Sequence, residues 1–334
     1  MGAKRLKSVV ALDGPPSGLE DLREQYAERY GDGPTDGWHE TSETVESVDF
    51  ADEIGALSTR GWQESTFEGT EAIGVEAVEE FANHGGTHLL VLNKSSWNLL
   101  DGAATDSEEF REAFELTLEV AEAASEILDG RAWPVLGVHP ALISQLVDDG
   151  YSPETAGDIM RSGLDVAAEF VAEGPALALK SGRPHYEVDD AVWEQSNEII
   201  KHAFDLAGAV GCAVQLHTEA SEDLTEISEW AEESGLPGDS VVKHFAGGRL
   251  AGPVKSVIAK KAELRTAIET DEPFLMETDY IDDPERPGAV LGPKTVPRRV
   301  RWLLQEGHEE AIHRAHVETP AMVYGIDTEE TLEG

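Results

Sequence analysis

Seven short runs, each almost wholly apolar, recur along this 334-residue chain and constrain its fold more than any other feature. They lie at residues 87–92, 133–138, 176–180, 212–217, 240–244, 256–259 (the weakest) and 274–278. A strand with one wet face alternates apolar and polar residues, whereas a parallel strand covered on both faces does not. Between the runs lie amphipathic stretches at 107–128, 152–172, 189–206, 221–233, 261–270 and 295–306. Several open on a helix-capping signal, such as Ser107 ahead of Glu109-Phe110 and Ser221 ahead of Asp223-Leu224. Strand and helix in alternation read as βα units around a parallel sheet. An open doubly-wound sheet has the same local grammar. What the strands end on favours a closed, TIM-like (β/α) barrel.

Five of the runs close on groups able to bind a metal or move a proton. They end in Gly137-Val138-His139-Pro140, Leu179-Lys180-Ser181-Gly182, Gln215-Leu216-His217-Thr218-Glu219, Lys243-His244-Phe245 and Met276-Glu277-Thr278-Asp279-Tyr280. In a parallel barrel the chemistry gathers at that end of the strands. One histidine or aspartate there is usually a hydrogen-bonded loop residue or a cap. Five in succession require a metal or a polar network, because burying them otherwise is costly. Imidazole with carboxylate suits a divalent ion such as Zn, Mn or Mg, and the single cysteine, Cys212, excludes a thiolate set. Lys180 has two readings. It forms an ion pair with Asp279 or Glu219, or burial lowers its pKa so that the neutral amine takes up carbon dioxide as a carbamate bridging two ions.

Taken in order, the His139, His217, His244 and Asp279 blocks resemble the signature blocks of the TatD-related branch of the amidohydrolase superfamily. Pro297-Arg298-Arg299 and residues 317–325 resemble that family's last helices. The resemblance covers roughly residues 74–327 and implies a metal-dependent hydrolase. It implies that His217 and His244 are metal ligands, Asp279 is ligand and general base, and His139 faces substrate. The family is best known for nucleases acting at DNA ends. Two departures stand out. A lysine, Lys180, occupies the place of a bridging glutamate, as in phosphotriesterase-like amidohydrolases with a carboxylated lysine. The His-x-His pair that opens the family is missing, and Asp13, His39 and Glu40 are weak substitutes. Three functions follow: a phosphodiesterase-like hydrolase, a carboxylated-lysine amidohydrolase or lactonase on a small molecule, and a catalytically impaired barrel with a binding role.

Charge bears on the substrate. With 67 acidic against 25 basic residues, the net charge is −42, spread over successive helix faces rather than held in a tail. This reads as adaptation to molar salt, where charge repulsion is screened. Such a surface repels nucleic acid, so a nucleic-acid end needs a local basic patch more than a small molecule does. Arg286, Lys294, Arg298, Arg299 and Arg301 are the densest basic cluster. They read either as a phosphate site or as a solvated face pairing with Glu306, Glu309 and Glu310. Arg183 and His185, close behind Lys180, read as substrate-binding groups at the same mouth. Residues 1–72 read as an atypical acidic segment with one strand at 6–12, and 73–330 as the barrel. No apolar stretch is long enough for a membrane span, and the lone cysteine allows no disulfide within the chain and suggests no disulfide-linked partner. The expectation is a cytoplasmic protein, with an oligomer left open.

Overall fold

The computed structural model describes residues 73–100, 102–280, 291–328 and 331. The expected early strand, the segment 1–72 with Asp13, His39 and Glu40, and Arg286 lie outside the described residues.

The chain begins with α1 (Ile73–Asn83), β1 (Leu89–Leu92), α2 (Ser107–Ile127), β2 (Ala132–Gly137), α3 (Ala141–Asp148) and α4 (Pro153–Glu173). It continues through β3 (Ala178–Gly182), α5 (Asp190–Val210), β4 (Val214–His217), α6 (Thr225–Glu233) and β5 (Val241–Ala246). Then follow β6 (Val254–Ile258), α7 (Lys261–Glu269), β7 (Phe274–Glu277), α8 (Thr295–Gln305), α9 (Glu309–His313), a π-helical turn (Arg314–Glu318) and α10 (Thr319–Tyr324). The seven strands are all parallel and stand in the sheet in chain order, β1 and β7 being its edges among the described residues.

Because side chains alternate along a strand, each strand shows two apolar faces. Outward-facing Leu136, Leu179, Val214 and Leu216 pack with Phe114, Met160, Leu164, Ile199 and Phe204 of the helical layer. Inward-facing Leu90, Leu92, Trp133, Val135, Ala178, Val242 and Leu275 form a separate cluster, joined by Val323 and Ile326 near the C-terminus. Residues from β1, β2, β3, β5 and β7 can meet only if the sheet curls round on itself. The fold is therefore TIM-like, and the open doubly-wound alternative is excluded.

Local chemistry explains the helix starts. Asp106, one residue ahead of the expected Ser107, caps α2 by accepting from the amides of Glu108 and Glu109 at 3.0 and 3.1 Å. Ser152 caps α4 by accepting from Thr155 N, with Pro153 in the first turn. Helix α6 starts at Thr225 rather than 221, because Ser221 and Asp223 close a turn first and Asp223 Oδ1 takes the amide of Thr225. Among the described residues no helix is long and apolar enough to cross a membrane.

Candidate metal centre at the strand ends

The inward alternation that begins with Ala178 and Val242 carries Lys180 and His244 into the barrel, and the one that includes Leu275 carries Glu277 and Asp279 with it. Gln215 and His217 share one face of β4 and continue the same polar layer. Two glycines keep this layer tight. Gly137 pairs in register with Lys180, and Gly182 with His217. A Cβ on either would meet the facing carbonyl oxygen at 1.8 or 1.9 Å, so no larger residue lets the strands approach. Asn93, just after β1, locks the first of these. Its amide donates to Gly137 O at 2.9 Å and accepts from Gly137 N at 2.8 Å, extending the ladder with a side chain.

One arc of the rim is acidic. Glu277, 0% exposed, accepts from His244 Nδ1 at 2.9 Å, from the Phe245 amide at 2.6 Å and from Ser256 Oγ at 2.5 Å. The other His244 nitrogen, Nε2, lies 3.2 Å from Asp279 Oδ1. Burial opposes a charge on this ring, but Glu277 and Asp279 outweigh it and push its pKa up to about 9. Asp279 has φ +53°, a strained left-handed conformation for a non-glycine residue. Burial alone would raise its pKa, yet the His244 hydrogen bond and charge, aided by Lys180, hold its carboxyl below the usual range.

The other arc is built of imidazoles. The ring of His217 lies 4.9 Å from that of His139 and 5.0 Å from that of His185, centre to centre. His217 Nε2 and His185 Nδ1 share a hydrogen bond at 2.9 Å. Burial, reinforced by neighbouring imidazoles and lysines, lowers the pKa of His217 and brings that of His139 down to about 3. Both rings are thus neutral donors. Lys180, 7% exposed, has its pKa lowered by burial, against the opposing pull of Asp279 and Glu277. A second buried lysine, Lys243, donates to His244 O at 2.5 Å, and burial lowers its pKa as well.

The donors fit a divalent ion in kind. His244 Nε2 and Asp279 Oδ1 face each other across a shared proton, close to the edge of a tetrahedron with bonds of about 2.0–2.2 Å. Gln215, in register with Lys180, holds both amide atoms buried without a hydrogen-bond partner among the described residues, so the cavity is polar beyond its own needs. Among the described residues no three His, Cys, Asp or Glu groups are gathered so as to hold an ion, and His217 spends its Nε2 on His185 instead.

The structure thus brings His139, Lys180, His185, His217, His244 and Asp279 to one rim. Three other expectations change. Arg183 is no open substrate clamp: it is 5% exposed, grips Glu219 through Nε at 2.8 Å and Nη2 at 2.5 Å, reaches Asn197, and stacks on Trp193. With Glu219 so engaged, Lys180 forms no ion pair with a described residue. The arginines of α8 are packed in rather than presented. Arg298 is 9% exposed, Arg299 Nε donates to Ala259 O, Arg301 donates to His84 O, and Lys294 pairs with Glu80. Glu306, expected among their partners, receives Arg265 and Trp302. Asn93, Glu277 and Gln215 were the residues that the sequence reading left out of the site.

Comparison with known proteins places this rim in context. The family described as TatD related DNase matches residues 65–325. An uncharacterized protein of Methanocaldococcus jannaschii is 37% identical over 268 residues, covering 77% of this chain and 92% of that one. Among solved structures, the TatD homologue YjjV of Escherichia coli K12 superposes with a TM-score of 0.51 at 17% identity, covering 83% of this chain and 98% of that one. The organophosphorus hydrolase of Deinococcus radiodurans gives 0.50 at 12% identity, over 82% and 93%. At such identities the likeness to solved structures concerns the fold. With the family pattern running through every described strand, and with a 37% identical relative over most of its length, the chain belongs to the TatD-related DNase family.

Proposed function

We propose that this protein is a metal-dependent hydrolase that cleaves a phosphodiester or a related ester. The observation that carries the reading is the meeting of Lys180, His217, His244 and Asp279, from the ends of four separate strands, at one polar rim. In it His217, His244 and Asp279 would hold a divalent ion, His217 giving up its contact with His185 and His244 its Nε2 proton. Such an ion lowers the pKa of bound water toward neutrality and polarises the ester oxygen. The chain's own groups do the rest. Glu277 fixes the ring of His244 through Nδ1, leaving Nε2 for the site. Asp279, ionised at neutral pH, takes the proton of the attacking water. His139, neutral at the mouth, donates or accepts a hydrogen bond to substrate without adding charge.

One observation favours a second reading. Lys180 is buried and its amine is biased toward the neutral form, which adds carbon dioxide to give a carbamate and a released proton. That reading pairs with a small-molecule lactone or amide, and a net charge of −42 works against a polymeric nucleic acid.

The test is hydrolysis of a model diester, single-stranded DNA, lactones and cyclic amides in molar KCl. It is run with the wild type, His217→Ala and Asp279→Asn. Wild-type rates in both variants would sink the assignment. Metal analysis of the purified protein supplies a second arm, since no bound divalent ion would leave a barrel with a binding role only.

A further inference from the structure

Phe245 is placed as no residue that merely packs would be. It is 44% exposed, one of few large apolar residues so open to solvent among the described residues. Its backbone has φ +54°, a conformation a bulky residue adopts only where the surroundings enforce it. The enforcing contacts are visible. The register of β5 against β6 shifts between Lys243 and Ala246, a bulge that re-aims the side chain. The amide of Phe245 is bonded to Glu277, the same carboxylate that holds His244 Nδ1. One buried group therefore fixes both the backbone of Phe245 and the candidate metal ligand beside it, whose ring centre is 6.2 Å from that of Phe245.

The exposed ring faces a cleft of 580 Å³, within the range usual for small-ligand sites. Its other walls include Lys243, Arg249, Gly247 and Gly248 and two acidic residues, Glu222 and Glu263. Gly248 lets this wall close against α7, since a Cβ there would meet Glu263 O at 2.3 Å, and the Glu263 carboxylate accepts the Gly248 amide at 2.9 Å.

We propose that this cleft is a subsite for a planar aromatic group of the substrate, stacked on Phe245 while its ester lies at His244 and Asp279. The inference rests on the hydrolase reading for its orientation. Aromatic stacking tolerates many rings, so the aromatic group is either the base of a nucleotide end or the aryl group of a small ester.

The experiment is calorimetric binding, in molar KCl, of two matched pairs of ligands. Adenosine 5′-monophosphate is compared with ribose 5-phosphate, and phenyl phosphate with methyl phosphate. Each pair carries the same anion with and without a planar ring. The proteins are wild type, Phe245→Leu and Phe245→Trp, with thermal melts to verify folding. The expected result is about tenfold tighter binding of the aromatic member by the wild type, lost in Phe245→Leu and kept in Phe245→Trp. Preference confined to the nucleotide pair assigns the subsite to a base, and preference confined to the phenyl pair assigns it to an aryl ester; both support it. No preference in the wild type, or a preference that survives Phe245→Leu, overturns it. If the preference is found while the protein hydrolyses none of the esters or amides, the subsite stands and the hydrolase reading falls. Hydrolysis without the preference has the opposite meaning.

Discussion

The two arcs of the rim hold the same kind of side chain in opposite states. His244 and His217 have ring centres 5.6 Å apart, yet one is drawn toward the cation and the other toward the neutral form. Burial disfavours charge on both rings. The difference lies in company: two carboxylates flank His244, while His217 has imidazoles and lysines around it. The rim thus offers positive charge already compensated on one side and uncharged nitrogen donors on the other.

The largest expected effect comes from breaking the acidic arc. Asp279→Asn and His244→Ala should lower ester hydrolysis by about 100-fold or more, with circular dichroism unchanged. Activity retained in both would show that the arc is structural. Glu277→Gln sharpens the comparison without removing a proposed ligand. It leaves buried partners short of a charge and should cost on the order of 3 kcal/mol in denaturant unfolding. The pKa of His244, followed by NMR, should fall from about 9 toward that of an ordinary histidine. Because this pKa is raised in the folded state, its stabilising contribution is full below about pH 6.5 and fades as pH rises through about 9.

A histidine below the rim separates burial from company. His316 contacts Met276 Sδ, and burial first, His88 second, takes its pKa down to about 4. Here the sign reverses: the unfolded chain binds the proton more readily, so stability should drop as pH falls from about 6.5 to about 4. The loss is up to roughly 3 kcal/mol. His316→Phe should flatten that part of the melting curve, and an unchanged slope would refute the assignment. Lys180→Met tests the imidazole arc more gently. Removing this amine should raise the pKa of both His139 and His217 in an NMR titration, since its charge is among the causes that lower them. The smallest effect is expected far from both arcs. Arg111→Ala, which breaks an exposed pair with Glu169, should cost less than about 1 kcal/mol.

Much of this was legible before any coordinates. Strands buried on both faces write themselves as continuous apolar runs, so each expected run overlaps its strand, including the weak one that became β6. Helix α3, directly after His139-Pro140, was not expected, because so short a segment carries little periodicity. The rim residues were legible because they end strands. Glu277 could have been added by counting two residues back from Asp279, since that spacing keeps both on one face. Asn93 could not, because its role depends on Gly137 on the neighbouring strand. Arg183 was misassigned for a similar reason: its partner Glu219 is 36 residues away, and the Trp193 ring beneath it leaves no local signature. The arginines of α8 were half legible. Arg298 and Arg301 are three residues apart and share a buried helical face, which argues against an open phosphate clamp.

The inner wall of the barrel has one further consequence. Leu90 and Trp133 share their cluster with Val323 and Ile326, partners separated by nearly two hundred positions or more. During synthesis the early strands emerge long before the residues that cover them, so their greasy side stays wet until Val323 and Ile326 have left the ribosome. Assembly should accordingly be slow and all-or-none, and nascent chains stalled before Val323 should be the ones that chaperones hold.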